Sequence, residues 1–272
     1  MKSMVCITGA TGGLGKAFAV ECASRGWDLF ITDLSDDTLR TLAYSLINTY
    51  NINVHYHSCD LTDFEARTVL FDHIREQEFS FNFLINIAGL DYEGFFSERT
   101  RSQIRTILRL NIEANLEMTH EILKTRDMAR TFRVVNVASL AAYYPMPVKA
   151  MYASSKRFLL DFSRALREEL RPQDVTVTAL CPAGMPTTPE CIRAIEAQGF
   201  AGRITTQNVG YVASHTIDRA LRGRSVYIPG LVNRMLKTAG ALVPPAVIAR
   251  LTGSRWKSAQ RKRLAAQSTT QI

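Results

Sequence analysis

The sequence predicts an α/β fold, doubly wound around one mostly parallel, seven-stranded sheet with helices on both faces, and three observations carry that expectation. Seven short apolar or β-branched runs, at 4–8, 28–33, 53–57, 83–88, 133–138, 175–180 and 225–229, alternate with helix-like stretches near 14–25, 36–50, 63–77, 101–128, 152–171 and 206–222. The runs are apolar along nearly their whole length, as strands covered on both faces must be. No internal repeat and no Gly/Ser/Pro-rich linker divides the chain, so residues 1–230 read as one domain and 231–272 as a basic, amphipathic helical tail.

Composition agrees with a folded, enzyme-sized body: 46% of the 272 residues are hydrophobic and 21% charged. The net charge of +8 is unevenly placed, because residues 219–272 hold 11 Lys/Arg and no Asp/Glu, leaving 22 basic against 25 acidic residues before them. Five cysteines without a CxxC pair, and no secretory leader pattern, point to a reducing cytoplasm. The longest apolar candidate for a membrane span, AGALVPPAVIA, is interrupted by Pro244 and Pro245. His55, His57, His73, His120 and His215 show no metal-ligand spacing, and no metal is assigned.

The first run leads into TGATGGLG (8–15), followed by a helix-like KAFAVECASRGW. In a strand–loop–helix unit, glycines let the backbone turn tightly and approach a pyrophosphate, while the helix N-terminus offers free N–H groups. Gly9, Gly13 and Gly15 are spaced G-x-x-x-G-x-G, and no Lys-Ser/Thr follows at the P-loop spacing of an ATPase. Asp33 ends the second run 18 residues after Gly15, where a carboxylate can accept from ribose hydroxyls and repel the extra phosphate of NADP. No Arg or Lys follows in LSDDTL, so NAD is favoured over NADP; the competing explanation is a loop Asp ahead of a helix capped by Ser35. After the third run, Asp60 either holds an adenine amino group or caps the helix that starts near Asp63.

The fifth run ends at Ser139, on the carboxyl edge where open α/β sheets bind ligands. Thirteen residues later YASSK sets Tyr152 and Lys156 four apart on one helical face. The stretch CPAGMPTTPECIRAIEAQGFAGR follows the sixth run, and a cover over the site is expected at 184–204.

With these residues the chain resembles the classical short-chain dehydrogenase/reductase family up to about Pro229, with a hydroxysteroid dehydrogenase-like character. The resemblance rests on TGATGGLG for TGxxxGxG, NIAG (86–89) for NNAG, Asn111 in RLNIEA, Ser139, YASSK and CPAGMPT. It implies a Rossmann-type fold and a catalytic tetrad of Asn111, Ser139, Tyr152 and Lys156. It further implies that the dinucleotide meets Gly9, Thr11, Gly13, Leu14, Gly15, Asp33, Asp60, Leu61, Asn86, Ala88, Gly89, Pro182 and Thr187 as well as Tyr152 and Lys156. Ile87 replaces the second Asn of NNAG, and Ala183 stands where the family has Gly after Pro, with Gly184 one place later.

A free tyrosine titrates near pH ~10, so Tyr152 needs a neighbouring positive charge to act as a base at neutral pH, and Lys156 can supply it. The family implies that Ser139 bonds the substrate oxygen and Asn111 holds a water beside Lys156. AAYYPMP (141–147) and Met185, Ile192, Ile195 and Phe200 of the cover form an expected apolar pocket wall, suited to a lipophilic secondary alcohol or ketone such as a hydroxysteroid, with long-chain acyl carbonyls as the alternative. The tail interleaves Arg234, Lys237, Arg250, Arg255 and Lys257 with Leu231, Met235, Leu236, Leu242, Val247, Ile248 and Trp256. Packing on the body or in a homodimer or homotetramer ranks first for it, peripheral membrane contact second, and nucleic acid is not expected. A non-catalytic dinucleotide-binding regulator and a sugar-nucleotide epimerase are the rival readings; the Tyr–Lys pair argues against the first and the glycine spacing against the second.

Overall fold

A computed structural model describes residues 4–187, 189–197 and 199–254. Seven parallel strands, β1 Met4–Thr8, β2 Asp28–Asp33, β3 Val54–Ser58, β4 Phe81–Asn86, β5 Phe132–Val137, β6 Val175–Leu180 and β7 Val226–Tyr227, lie in the order β3-β2-β1-β4-β5-β6-β7. That order reverses direction at β1, and the crevice at the carboxyl ends of β1 and β4 is where such a sheet receives a ligand.

Successive side chains along each strand feed opposite layers. Val5 and Ile7 point with Leu29 and Ile31 into the layer formed by α1 Gly13–Ser24, α2 Asp36–Tyr50 and α9 Val209–Leu221. Cys6 and Phe30 point the other way, towards α3 Phe64–Glu76 and α5 Ala114–Lys124. A third apolar group joins Ala138, Ala179 and Cys181 to Leu159 and Leu160 of α6 Ala150–Leu170.

Two elements differ from the sequence expectation in ways that matter for the site. β4 ends at Asn86, two residues before the expected 88, because Thr8 Oγ1 accepts from the backbone N–H groups of Ile87 (3.0 Å) and Ala88 (3.2 Å) in place of a ladder partner. The expected helix 101–128 is α4 Arg101–Leu108 and α5 separated by a π-helical turn, Arg109–Glu113, with Asn111 at its centre. Such turns insert a residue into a helix and re-aim a side chain. Beyond β6 come α7 Pro189–Ala197 and α8 Gly199–Thr205; beyond β7 come α10 Leu231–Gly240 and a further helical stretch, 245–254. Among the described residues no helix is long and apolar enough to cross a membrane, and no group of three His, Cys, Asp or Glu is placed to hold a metal. Arg255, Trp256, Lys257 and the last eight residues lie outside the described ones.

Candidate active site

A cleft of about 760 Å³ runs along the carboxyl edge of the sheet from Asp33 to Tyr152. At its first end the backbone does the positioning. Gly9 has φ +66°, and a Cβ on it would stand 2.9 Å from the backbone of Ala88. A Cβ on Gly13 would stand 2.9 Å from the backbone of Thr187, so the cover comes down directly on the glycine loop. Gly15 faces the carbonyl of Gly9 with no room for any side chain. These are close approaches only glycine permits.

Asp33 is tied to this loop: Oδ2 accepts from the backbone N–H (2.9 Å) and hydroxyl (2.7 Å) of Thr11, and Oδ1 from the N–H of Leu34 (2.8 Å). A carboxylate has about four acceptor positions, so one remains open on a side chain that lines the cleft. Asp60 lines the same end and accepts from the N–H and hydroxyl of Thr62, both at 2.8 Å; the cap of α3 is Asp63, which accepts from Ala66 N–H at 2.9 Å. Leu61 lines the cleft between them, and its carbonyl accepts from Arg67 Nη1 at 2.7 Å.

Arg67 was not among the residues singled out from the sequence. It is fully buried and also pairs with Glu117 (2.6 Å) and Glu113, binding α3 to α5 and to the π-turn. Its one sequence signal is an Arg facing the apolar side of a helix, which is shared by many side chains that reach past their helix to solvent.

At the other end side chains dominate. Ser139 follows β5; its hydroxyl accepts from the N–H of Ala141 (3.1 Å) and lies close enough to the Tyr152 phenol to lower its pKa. The ammonium of Lys156 is buried, 5.8 Å from the Tyr152 ring centre, and donates to the carbonyl of Val137 at 2.8 Å. Asn111 uses both ends of its amide on one residue: Oδ1 accepts from Leu90 N–H and Nδ2 donates to Leu90 O, each at 2.9 Å, with a further bond to Ser155 (3.0 Å). The π-turn thus makes Asn111 a brace for the loop after NIAG. A Cβ on Gly89 would meet Lys156 Nζ at 3.0 Å, so the loop also walls in the ammonium.

A second charge pair was not foreseen. Lys149, one residue ahead of α6, donates to Asp91 Oδ2 at 2.5 Å, lies 3.3 Å from Glu93, and, like Lys156, sits 5.8 Å from the Tyr152 ring centre. Asp91 lines the cleft, and its Oδ1 is buried with no hydrogen-bond partner among the described residues. Burial raises the Asp91 carboxyl above its usual range in spite of Lys149. Burial works against the Lys149 ammonium, but Asp91 and Glu93 outweigh it and raise its pKa. Burial pushes the Tyr152 phenol up, opposed by the nearby Ser139 hydroxyl, with Asp91 adding to the rise and Lys149 countering it. Burial pulls Lys156 down to about 8, with Asp91 resisting.

The cleft therefore gathers Gly9, Gly13, Leu14, Gly15, Asp33, Asp60, Leu61, Ala88, Gly89, Ser139, Tyr152, Lys156, Pro182 and Thr187. Thr11 reaches it through Asp33, and Asn111 through Leu90. Asn86 does not line it: its Nδ2 donates to Thr119 Oγ1 (3.0 Å) and Asn136 Oδ1 (2.9 Å) inside the fold, because β4 ends there and the chain turns away one residue later. Ala183 and Met185 line the cleft, whereas Ile192 is exposed and the Phe200 side chain lies outside the described ones. The segment 141–147 is not a wall of the cleft. None of its residues lines the cleft; instead Lys237 lies over the Tyr143 ring at 5.7 Å, and the tail rests on Tyr144, Pro145 and Pro147.

A family model described as short chain dehydrogenase matches residues 3–192. A very-long-chain 3-oxoacyl-CoA reductase of Laccaria bicolor is 29% identical over 178 residues, 64% of this chain and 52% of that protein. The 17-beta-hydroxysteroid dehydrogenase type 3 of Mus musculus is 29% identical over 192 residues, 69% of this chain and 61% of its own length. The chain thus spans less than two thirds of the length of either relative. Among solved structures, a short-chain dehydrogenase from Sphingobium yanoikuyae in complex with NADPH superposes with a TM-score of 0.75 at 25% identity, covering 88% of this chain and 93% of that one.

Proposed function

The chain belongs to the short-chain dehydrogenase family, and from that premise we propose that it interconverts a lipophilic secondary alcohol and its ketone, using NAD(H). The observation that supports this most is the set Ser139, Tyr152 and Lys156 at one end of a cleft whose other end is the glycine loop. The loop fits a dinucleotide: Gly9, Gly13 and Gly15 bring backbone N–H groups to the opening of α1 without side chains in the way. Bound there, the nicotinamide would supply or accept the hydride.

Tyr152 donates its phenolic proton to the substrate oxygen during reduction and takes it back during oxidation. Ser139, beside that phenol in the cleft lining, orients the substrate oxygen. Lys156 in its charged form favours the phenolate, and Lys149 adds a second positive charge that Asp91 and Glu93 largely offset.

The preference for NAD rests on Asp33. Its carboxylate keeps one acceptor position for a ribose hydroxyl, and Lys156 is the only cation among the described residues lining the cleft, so nothing there would neutralise a 2′-phosphate. The lipophilic substrate is supported by Leu90, Leu110, Ala183 and Met185 in the lining and by the absence there of a cation beyond Lys156 to clamp an acidic group. A long-chain acyl carbonyl is the second reading, favoured by the likeness to the 3-oxoacyl-CoA reductase.

The test is a panel of hydroxysteroids, fatty alcohols, 3-oxoacyl thioesters and small ketones, followed at the nicotinamide absorbance with both cofactors in parallel. Turnover of the steroids with NAD(H) is expected. Turnover only with NADP(H) overturns the Asp33 reading, and dinucleotide binding without any turnover transfers support to the regulator.

A further inference from the structure

The C-terminal helices are attached through small and polar residues and leave most of their large apolar side chains exposed. In α10 the buried residue is Asn233, whose Nδ2 donates to the carbonyls of Pro229 (2.8 Å) and Thr205 (3.0 Å). Gly240 lies against the Tyr144 ring on the same side. Leu231 and Met235, four apart on another face, are 66% and 63% exposed, and Leu242 just beyond is 84% exposed. The pattern repeats after Pro244 and Pro245. Gly253 is buried against Pro147 and Thr252 Oγ1 donates to Pro145 O at 3.2 Å, while Val247 and Leu251, again four apart, are exposed.

An ordinary surface helix buries such residues. Exposed beside them are Arg234 and Arg250, and residues 219–272 contain no acidic residue at all. We propose that this segment is a docking surface for an anionic lipid bilayer, with leucine and methionine side chains entering the headgroup boundary and the cations meeting lipid phosphates. A second copy of the chain fits less well, because a two-fold contact would set the same cations against each other with no acid to pair them. Nucleic acid fits less well, because it would use the cations and leave the leucines in water, and residues 231–254 offer no aromatic ring for a base.

The full chain is mixed with phosphatidylcholine vesicles, with or without phosphatidylglycerol, and bound protein is separated by flotation at low and physiological salt. Binding to the phosphatidylglycerol vesicles alone is expected. Met235→Ser with Leu242→Ser should reduce the bound fraction about tenfold or more. Arg234→Ser with Arg250→Ser should reduce it about fivefold for each cation removed and weaken its dependence on salt. Circular dichroism and dinucleotide affinity, both expected to be unchanged, show that these surface variants are folded. Absence of flotation overturns the proposal, as does equal flotation of the Met235/Leu242 variant, equal affinity for duplex DNA at the same salt, or a dimer that this variant dissociates.

Discussion

At the end of the cleft proposed for the nucleotide, positions are set by backbone meeting backbone: Gly9 against Ala88, Gly13 against Thr187, Gly15 against Gly9, with Asp33 tying Thr11 to the end of β2. At the end proposed for the reaction they are set by side-chain charges, with Lys149 and Lys156 each 5.8 Å from the Tyr152 ring centre and Asp91 acting on all three. Steric contact falls off within an ångström and tolerates one residue type. Charge acts over several ångströms and can be graded. The first end can be broken outright; the second can be tuned.

The largest effect is expected at the reaction end. Tyr152→Phe keeps the ring and removes the transferable proton, so ketone reduction should fall about 10²–10⁴-fold. Dinucleotide affinity, measured by nicotinamide fluorescence, should be nearly unchanged; a fall in rate of less than tenfold would mean that another group moves the proton. Next is Arg67→Met, which leaves the Leu61 carbonyl and two glutamates without their donor. Urea unfolding should show a loss of about 3 kcal/mol, the lower end for a broken buried pair because Glu113 and Glu117 are partly exposed.

Lys156→Met is expected to stabilise the free chain while removing activity. A folded-state pKa pulled to about 8 means that below pH 8 the fold carries the cost of a buried ammonium, a cost that fades as pH rises towards the ordinary lysine value. Deleting the ammonium should therefore raise stability at neutral pH by an amount on the order of 2 kcal/mol. A lower melting temperature for this variant would show that its bond to Val137 O outweighs desolvation.

Asp33→Asn should weaken NADH binding about tenfold while improving NADPH binding, read by titration calorimetry with each cofactor. If both affinities fall together, Asp33 acts only as the tether of Thr11. The smallest effect is graded: Asp91→Asn removes a negative charge that raises the Tyr152 phenol. Oxidation needs the phenolate and rises with pH, so the rising limb of kcat/KM for the alcohol should move down by about one unit. An upward move would mean that the freed Lys149 swings away from the ring.

Strand and helix alternation was legible because burial on both faces forces long apolar runs, and each of the seven runs overlaps a strand. The glycine loop and the Tyr152–Lys156 pair were legible because neighbours in sequence determine them: a loop between strand and helix, and two positions one helical turn apart. The brace made by Asn111 was not, since the π-turn depends on Leu90 arriving from another part of the chain. Nor was the burial of Asn86, which follows from Thr8 shortening β4 and from its partners on β5 and α5.

What the sequence determined by itself is the architecture and the local chemistry, because periodicity and turn stereochemistry act over a few residues. What only the tertiary structure decided is which charges meet. Lys149, Asp91, Lys156 and Tyr152 come from two separated segments, and the shift on each depends on distances and burial that exist once the sheet has brought the loop after β4 against the start of α6. The outward leucines of the tail belong to the same class, since a helix's amphipathic pattern states that it has an apolar face but not which way that face turns.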